Sequence, residues 1–134
     1  MLRRMGTATD AELAGFERLL NAVLEEPEVV ESMVRENPEL LECINNSSET
    51  VFHWLVIENS VDEMVLLHKL GAAIPQFAAL HALQAGAIEA LDFVLTQGST
   101  FGPFDPHVAM RNPALNLSAD HIERLTVRLR MYGY

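Results

Sequence analysis

The chain is poor in cysteine and in positive charge, and each shortage removes a class of protein. Cys43 is the single cysteine among 134 residues, so no internal disulfide can form and no thiolate cluster can hold a metal. A solitary thiol suits a reducing, cytoplasmic setting. Nine Lys and Arg face nineteen Asp and Glu, a net charge of −10, which argues against a nucleic-acid binder working through phosphate contacts. No run of ~20 mostly apolar residues occurs, so no membrane-spanning helix is expected. The opening Met1-Leu2-Arg3-Arg4 is basic but leads into Thr7-Ala8-Thr9-Asp10 instead of an apolar signal core. The phosphate-binding, dinucleotide-binding and nucleophile-elbow motifs are all missing. His53, His68, His81, His107 and His121 contain no H-x-x-x-H pair, so neither a metal nor any other cofactor is expected.

What is present points to a folded chain. Hydrophobic residues make up 49% and charged residues 21%, which argues against disorder throughout. The acids are unevenly spread. Fourteen of them lie between Thr7 and Glu63 against two bases, Arg18 and Arg35, whereas Met64 to Tyr134 is balanced. Such a face either keeps the chain soluble or steers a basic partner toward it.

Helical spacing recurs along the whole length, and no stretch alternates clearly at period two. Asp10 is a candidate cap for a helix carrying Leu13, Phe16, Leu19, Leu20 and Val23, which Pro27 closes. Asn37-Pro38 ends a second, because a residue before proline disfavours helical dihedrals. Asn45-Asn46-Ser47-Ser48-Glu49 is a polar turn, and Thr50 caps Val51 to Glu58. That last segment is apolar nearly all round, so a buried strand competes with a helix there. Val61 to Leu70, Phe77 to Ala85, Ile88 to Gln97 and Ser118 to Tyr132 complete the helical segments. Ser99 to Pro106, with Gly102 and two prolines, cannot be regular helix.

Short helix, break, longer helix and glycine occur twice. Gly71 and Gly98 are 27 residues apart, Val61 and Ile88 likewise, and His53 and His81 are 28 apart. A fixed period in this range signals stacked supersecondary units. Thr50, Phe52 and His53 match the Thr, Leu and His of T-P-L-H-x-A, and the segment resembles the ankyrin repeat. Val51 departs from its proline and Leu55 from its alanine. The ten residues from Gly71 to His81 are too few for a full ankyrin finger. The resemblance implies an all-α solenoid of about four stacked helix-turn-helix repeats with mostly shortened fingers. Its approximate units are 10–45, 46–75, 76–104 and 105–134, one repeat domain after a flexible terminus of residues 1–9.

The resemblance also assigns roles. His53 and His81 would hydrogen-bond across turns and link neighbouring units, Gly71 and Gly98 would end outer helices, and Trp54 would point inward as the core anchor. Finger tips and inner-helix faces bind partners in this family, which marks Asn45, Asn46, Ser47, Ser48, Glu49, Ile57, Glu58 and Gln84. Phe101 and Phe104, in a Gly/Pro-rich loop, are either exposed binding aromatics or a plug over the last repeat. No nucleophile accompanies either inner-helix histidine at suitable spacing, so no catalysis is expected. The expected function is a non-catalytic protein-interaction module binding a basic protein or peptide. The alternative is a small acidic inhibitor, such as an immunity protein neutralising a toxin or nuclease. The apolar end Met131-Tyr132-Gly133-Tyr134 could pair two molecules, so a monomer or a homodimer is expected.

Overall fold

A computed structural model describes residues 8–134. Residues 1–7, most of the expected flexible terminus, lie outside them. Eight α-helices follow in order among the described residues: α1 (Asp10–Glu25), α2 (Val30–Glu36), α3 (Val51–Ile57), α4 (Val61–Lys69), α5 (Ala78–Gln84), α6 (Ile88–Thr96), α7 (Pro106–Ala109) and α8 (Ala119–Met131). Three 3-10 turns, at Pro27–Val29, Pro38–Glu42 and Pro113–Leu115, each begin with a proline. Proline supplies a preset φ at a first position where its missing N–H costs nothing. The one β-type pairing among the described residues is an isolated antiparallel bridge between Ile44 and Thr50. The fold is all-α, and the strand alternative over Val51–Ile57 falls.

Local chemistry sets the boundaries. Thr9, not Asp10, caps α1: its hydroxyl accepts from the Glu12 N–H at 3.1 Å, and the Glu12 carboxylate accepts from the Thr9 N–H at 3.2 Å. This reciprocal box satisfies two orphan donors at once. Thr50 caps α3 through the His53 N–H, and Ser118 caps α8 through the His121 N–H. Helices α4, α5, α6 and α8 each run into a glycine at positive φ: Gly71, Gly86, Gly98 and Gly133. Beyond each glycine one N–H bonds back across the turn, Ala72 to Leu67, Ala87 to Ala82, Ser99 to Val94 and Tyr134 to Leu129, all within 3.0 Å. Each is a Schellman closure, which satisfies carbonyls the helix leaves open.

The two helix pairs repeat in length as well as in order. Helices α3 and α5 have 7 residues, α4 and α6 have 9. Val51 to Ala78, Asn59 to Gly86, Val61 to Ile88 and Gly71 to Gly98 are all separated by 27 residues. In this register His81 corresponds to Trp54, and His53 to the buried Leu80. The two histidines are therefore not equivalent positions, which corrects their pairing on sequence.

The chain divides into two compact units. One runs up to Leu55 and adds Asp62–Ala73; the other joins Val56–Val61 to Ile74–Tyr134. In the first, α1 packs on α2 and on the turns Pro27–Val29 and Pro38–Glu42. Its buried side chains include Phe16, Leu19, Val30, Val34, Phe52, Leu55, Met64 and Leu67. Phe52, 1% exposed, is the aromatic core residue of α3, whereas Trp54 is half-buried. The buried stripe of α3 is Val51, Phe52, Leu55 and Val56, and a residue two places after Phe52 lies about 200° round the helix. The expectation that Trp54 anchors the core is corrected to Phe52.

In the second unit α5 packs on α6 and α7, and α6 on α8. Ala78, Ala79 and Ala82 are fully buried, so α5 meets its neighbours through small side chains. Arg128 of α8 and Tyr132, just past its end, reach Asp92 of α6, the hydroxyl donating to its carbonyl and the guanidinium pairing with its carboxylate at 3.4 Å. His121 Nε2 donates to the Gly86 carbonyl at 2.8 Å, and a Cβ on Gly86 would stand 2.9 Å from that same nitrogen. Asn59 fastens the segment after α3. It adopts φ 58°, its Oδ1 accepts from the Ala90 N–H at 2.8 Å, and its Nδ2 donates to Glu89 Oε2 at 2.6 Å. The Asn59 bond holds the Glu89 carboxyl below its ordinary value of 4.5. Glu89's own N–H and the charges of Arg124 and Arg128 help, while burial opposes.

Two predictions follow from this packing. Phe52→Ala should lower the unfolding free energy by ~3–5 kcal/mol, and Trp54→Ala by less, in urea denaturation. A depressed carboxylate adds stability above its unfolded-state pKa and loses it as pH falls through the folded-state value. Acidified from about pH 6 to about pH 3, the wild type should therefore lose more stability than Glu89→Gln. Equal acid losses in thermal melts would remove the role given to the Asn59–Glu89 bond.

Candidate functional site

The unit up to Leu55 with Asp62–Ala73 carries thirteen of the nineteen acids by sequence, and five bases. A concavity of about 540 Å³ lies between α1 and the Pro38–Glu42 turn. Glu12, Gly15 and Arg18 of α1 form one wall, and Asn37, Glu39, Glu42 and Cys43 the other. The groove is close-set because Gly15 brings no side chain. A Cβ there would lie 2.5 Å from Cys43 Sγ.

The Cys43 thiol reports on the field in the groove. It donates to the Glu39 carbonyl at 3.4 Å. Burial pushes its pKa up, and the carboxylates of Glu12, Glu39 and Glu42 push it further in the same direction. A thiol so placed stays protonated and is a poor nucleophile. Three carboxylates and one guanidinium, that of Arg18, thus line the groove together with Ala11, Ala14 and Leu40. The groove is suited to hold a cation-bearing segment and unsuited to covalent chemistry at Cys43. Among the described residues no three His, Cys, Asp or Glu side chains converge as metal ligands would. No helix of the described chain is long and apolar enough to cross a membrane.

The residues singled out on sequence are dispersed over several surfaces. Asn45 to Glu49 form a self-bonded turn. Asn45 Oδ1 accepts from the Ser47 and Glu49 N–H groups, and Asn45 Nδ2 donates to Glu49 Oε1 at 3.0 Å. Asn46, Ser47 and Ser48 are exposed, and Asn46 Oδ1 accepts from the Ala8 N–H at 3.3 Å. Ala8 and Thr9, assigned on sequence to the flexible terminus, thus make defined hydrogen bonds. Ile57 is half-buried and Glu58 exposed beside the Asn59 clamp. Gln84 and Phe104 are brought together, lining one groove of about 750 Å³ in the second unit. Phe101 is buried, 2% exposed, with its ring edge-on to Tyr134 at 4.9 Å. The plug alternative holds for Phe101 and the exposed one for Phe104, which correlates with their three-residue spacing around a tight turn closed by the Phe104 N–H to Phe101 carbonyl bond.

His53 and His81 are half-buried, each with one ring nitrogen shielded from solvent. Phe77 lies 6.3 Å from the His81 ring in a tilted arrangement. The acidic groove itself was not assembled from sequence. Gly15 was its signal, since a glycine inside an amphipathic helix marks a close approach. No protein-family model, curated protein or solved structure matches the chain.

Gly-to-Ala inside a helix ordinarily stabilises by ~1 kcal/mol. Here Gly15→Ala should destabilise, and Cys43→Ala should relieve most of that loss in a double-mutant cycle read by thermal unfolding. Neutralising Glu39 and Glu42 to glutamine should lower the thiol pKa without restoring the free-cysteine value, because burial persists. The pH dependence of iodoacetamide alkylation measures this directly.

Proposed function

We propose that this chain is a non-catalytic protein-interaction module, ankyrin-like in its repeated helix pairs, whose acidic unit binds a basic segment of another protein. The observation that carries the reading is the convergence of Glu12, Glu39 and Glu42 on the apolar-floored groove beside Gly15 and Cys43. Several carboxylates facing one concavity attract cations more strongly than the same charges spread over a flat surface. The capping box of Thr9 and Glu12 at the start of α1 and the packing of α1 on the Pro38–Glu42 turn hold the groove walls, so little ordering accompanies binding. The equal helix lengths and the 27-residue spacing of the α3–α4 and α5–α6 pairs support the repeat reading. The groove offers a partner charge and shape, with no activated nucleophile.

The test uses a fluorescein-labelled peptide of alternating lysine and leucine, followed by anisotropy against the full chain. Glu39→Lys with Glu42→Lys should weaken binding by about tenfold or more, with thermal unfolding nearly unchanged because both side chains are exposed. Added salt should weaken the wild-type complex in the same direction. Binding that survives both the double substitution and high salt would exclude the acidic groove as the docking surface.

A further inference from the structure

The second unit carries a surface of the opposite electrical preference. Three apolar side chains stand out from it in one neighbourhood: Phe77, Phe104 at 48% exposure and Val108 at 70%. Phe104 meets Phe77 edge-on, ring centres 6.2 Å apart. Phe104 and Val108 border the groove of about 750 Å³ that Gln84, His107 and Arg111 complete. No carboxylate lines it. The nearest in sequence, Asp105, caps α7 by accepting from the His107 N–H at 2.9 Å and is not among the residues lining the groove. Arg111 Nη1 donates to the His107 carbonyl at 2.6 Å, which fixes the guanidinium at the groove, and among the described residues it forms no ion pair.

The base beneath this patch is firmly held. Phe101, Pro106 and Met110 are buried below the exposed side of α7. Large apolar groups next to a cation that forms no ion pair among the described residues make a complementary site for the reverse pattern. We infer that this groove docks a peptide segment of another protein in which bulky apolar residues are flanked by carboxylates: the apolar residues cover Phe104 and Val108, and a carboxylate pairs with Arg111. The inference does not rest on the acidic groove of the other unit, and either can fail alone. Together the two would give one chain two docking surfaces for segments of opposite charge.

The probe is a fluorescein-labelled Glu-Glu-Leu-Phe-Glu-Glu peptide, compared with the same peptide flanked by lysines and with one carrying alanines in place of Leu-Phe. Saturable anisotropy is expected for the acidic apolar peptide only. Arg111→Glu should weaken it by about tenfold and turn the preference toward the lysine-flanked peptide. Val108→Asp should abolish it. Both side chains are exposed, and far-UV circular dichroism with thermal melts checks that each variant folds. Amide shifts on titration, read by NMR, should concentrate at Gln84, Phe104, Val108 and Arg111. Absence of saturable binding, equal binding of the three peptides, or indifference to both substitutions would overturn the inference. So would a concentration-dependent self-association dissolved by Val108→Asp, because it assigns the groove to a second copy of this chain.

Discussion

A helix cannot simply stop inside a folded protein, because its last carbonyls need donors and its backbone must change direction within one or two residues. Most of this structure follows from one answer to that constraint. At Gly71, Gly86, Gly98 and Gly133 the chain passes through the left-handed region, and the next N–H returns to the helix. With the ends closed in this way, helices of 7 and 9 residues are defined elements. Such short helices are marginal alone and draw their stability from packing. The closure costs glycine's backbone entropy but leaves the apolar stripes free to find partners.

Asn59 shows the same constraint answered differently. It occupies the place that Gly86 holds 27 residues later, and it too is left-handed. Asparagine tolerates that conformation because its short side chain can bond locally. Here the side chain bonds far along the sequence, to the N-terminus of α6. A glycine at this position would turn the chain equally well and would lose both bonds. The Val56–Val61 segment belongs to the second unit for a reason visible at this residue.

The charge distribution divides along the same lines as the packing. Acids crowd one unit, where three carboxylates face a groove that a helical glycine opens. The other unit holds six acids and four bases, and its exposed apolar patch has arginine beside it and no carboxylate lining its groove. Charge of this kind acts mainly on the rate at which a charged molecule arrives, and apolar contact on the rate at which it leaves.

Sequence by itself determined the helical class, the turn at Asn45–Glu49, the caps at Thr50 and Ser118, the glycine stops and the asymmetry of charge. These depend on dihedral preferences and hydrogen bonds that span three to five residues, so neighbours in the chain suffice to specify them. Only the tertiary structure decided that Phe52 and not Trp54 fills the core, that Phe101 is covered while Phe104 is not, and that Cys43 faces Gly15. In each of those cases several side chains were equally apolar or equally small. The choice among them was made by whichever element from elsewhere in the chain came to lie against one side of the helix.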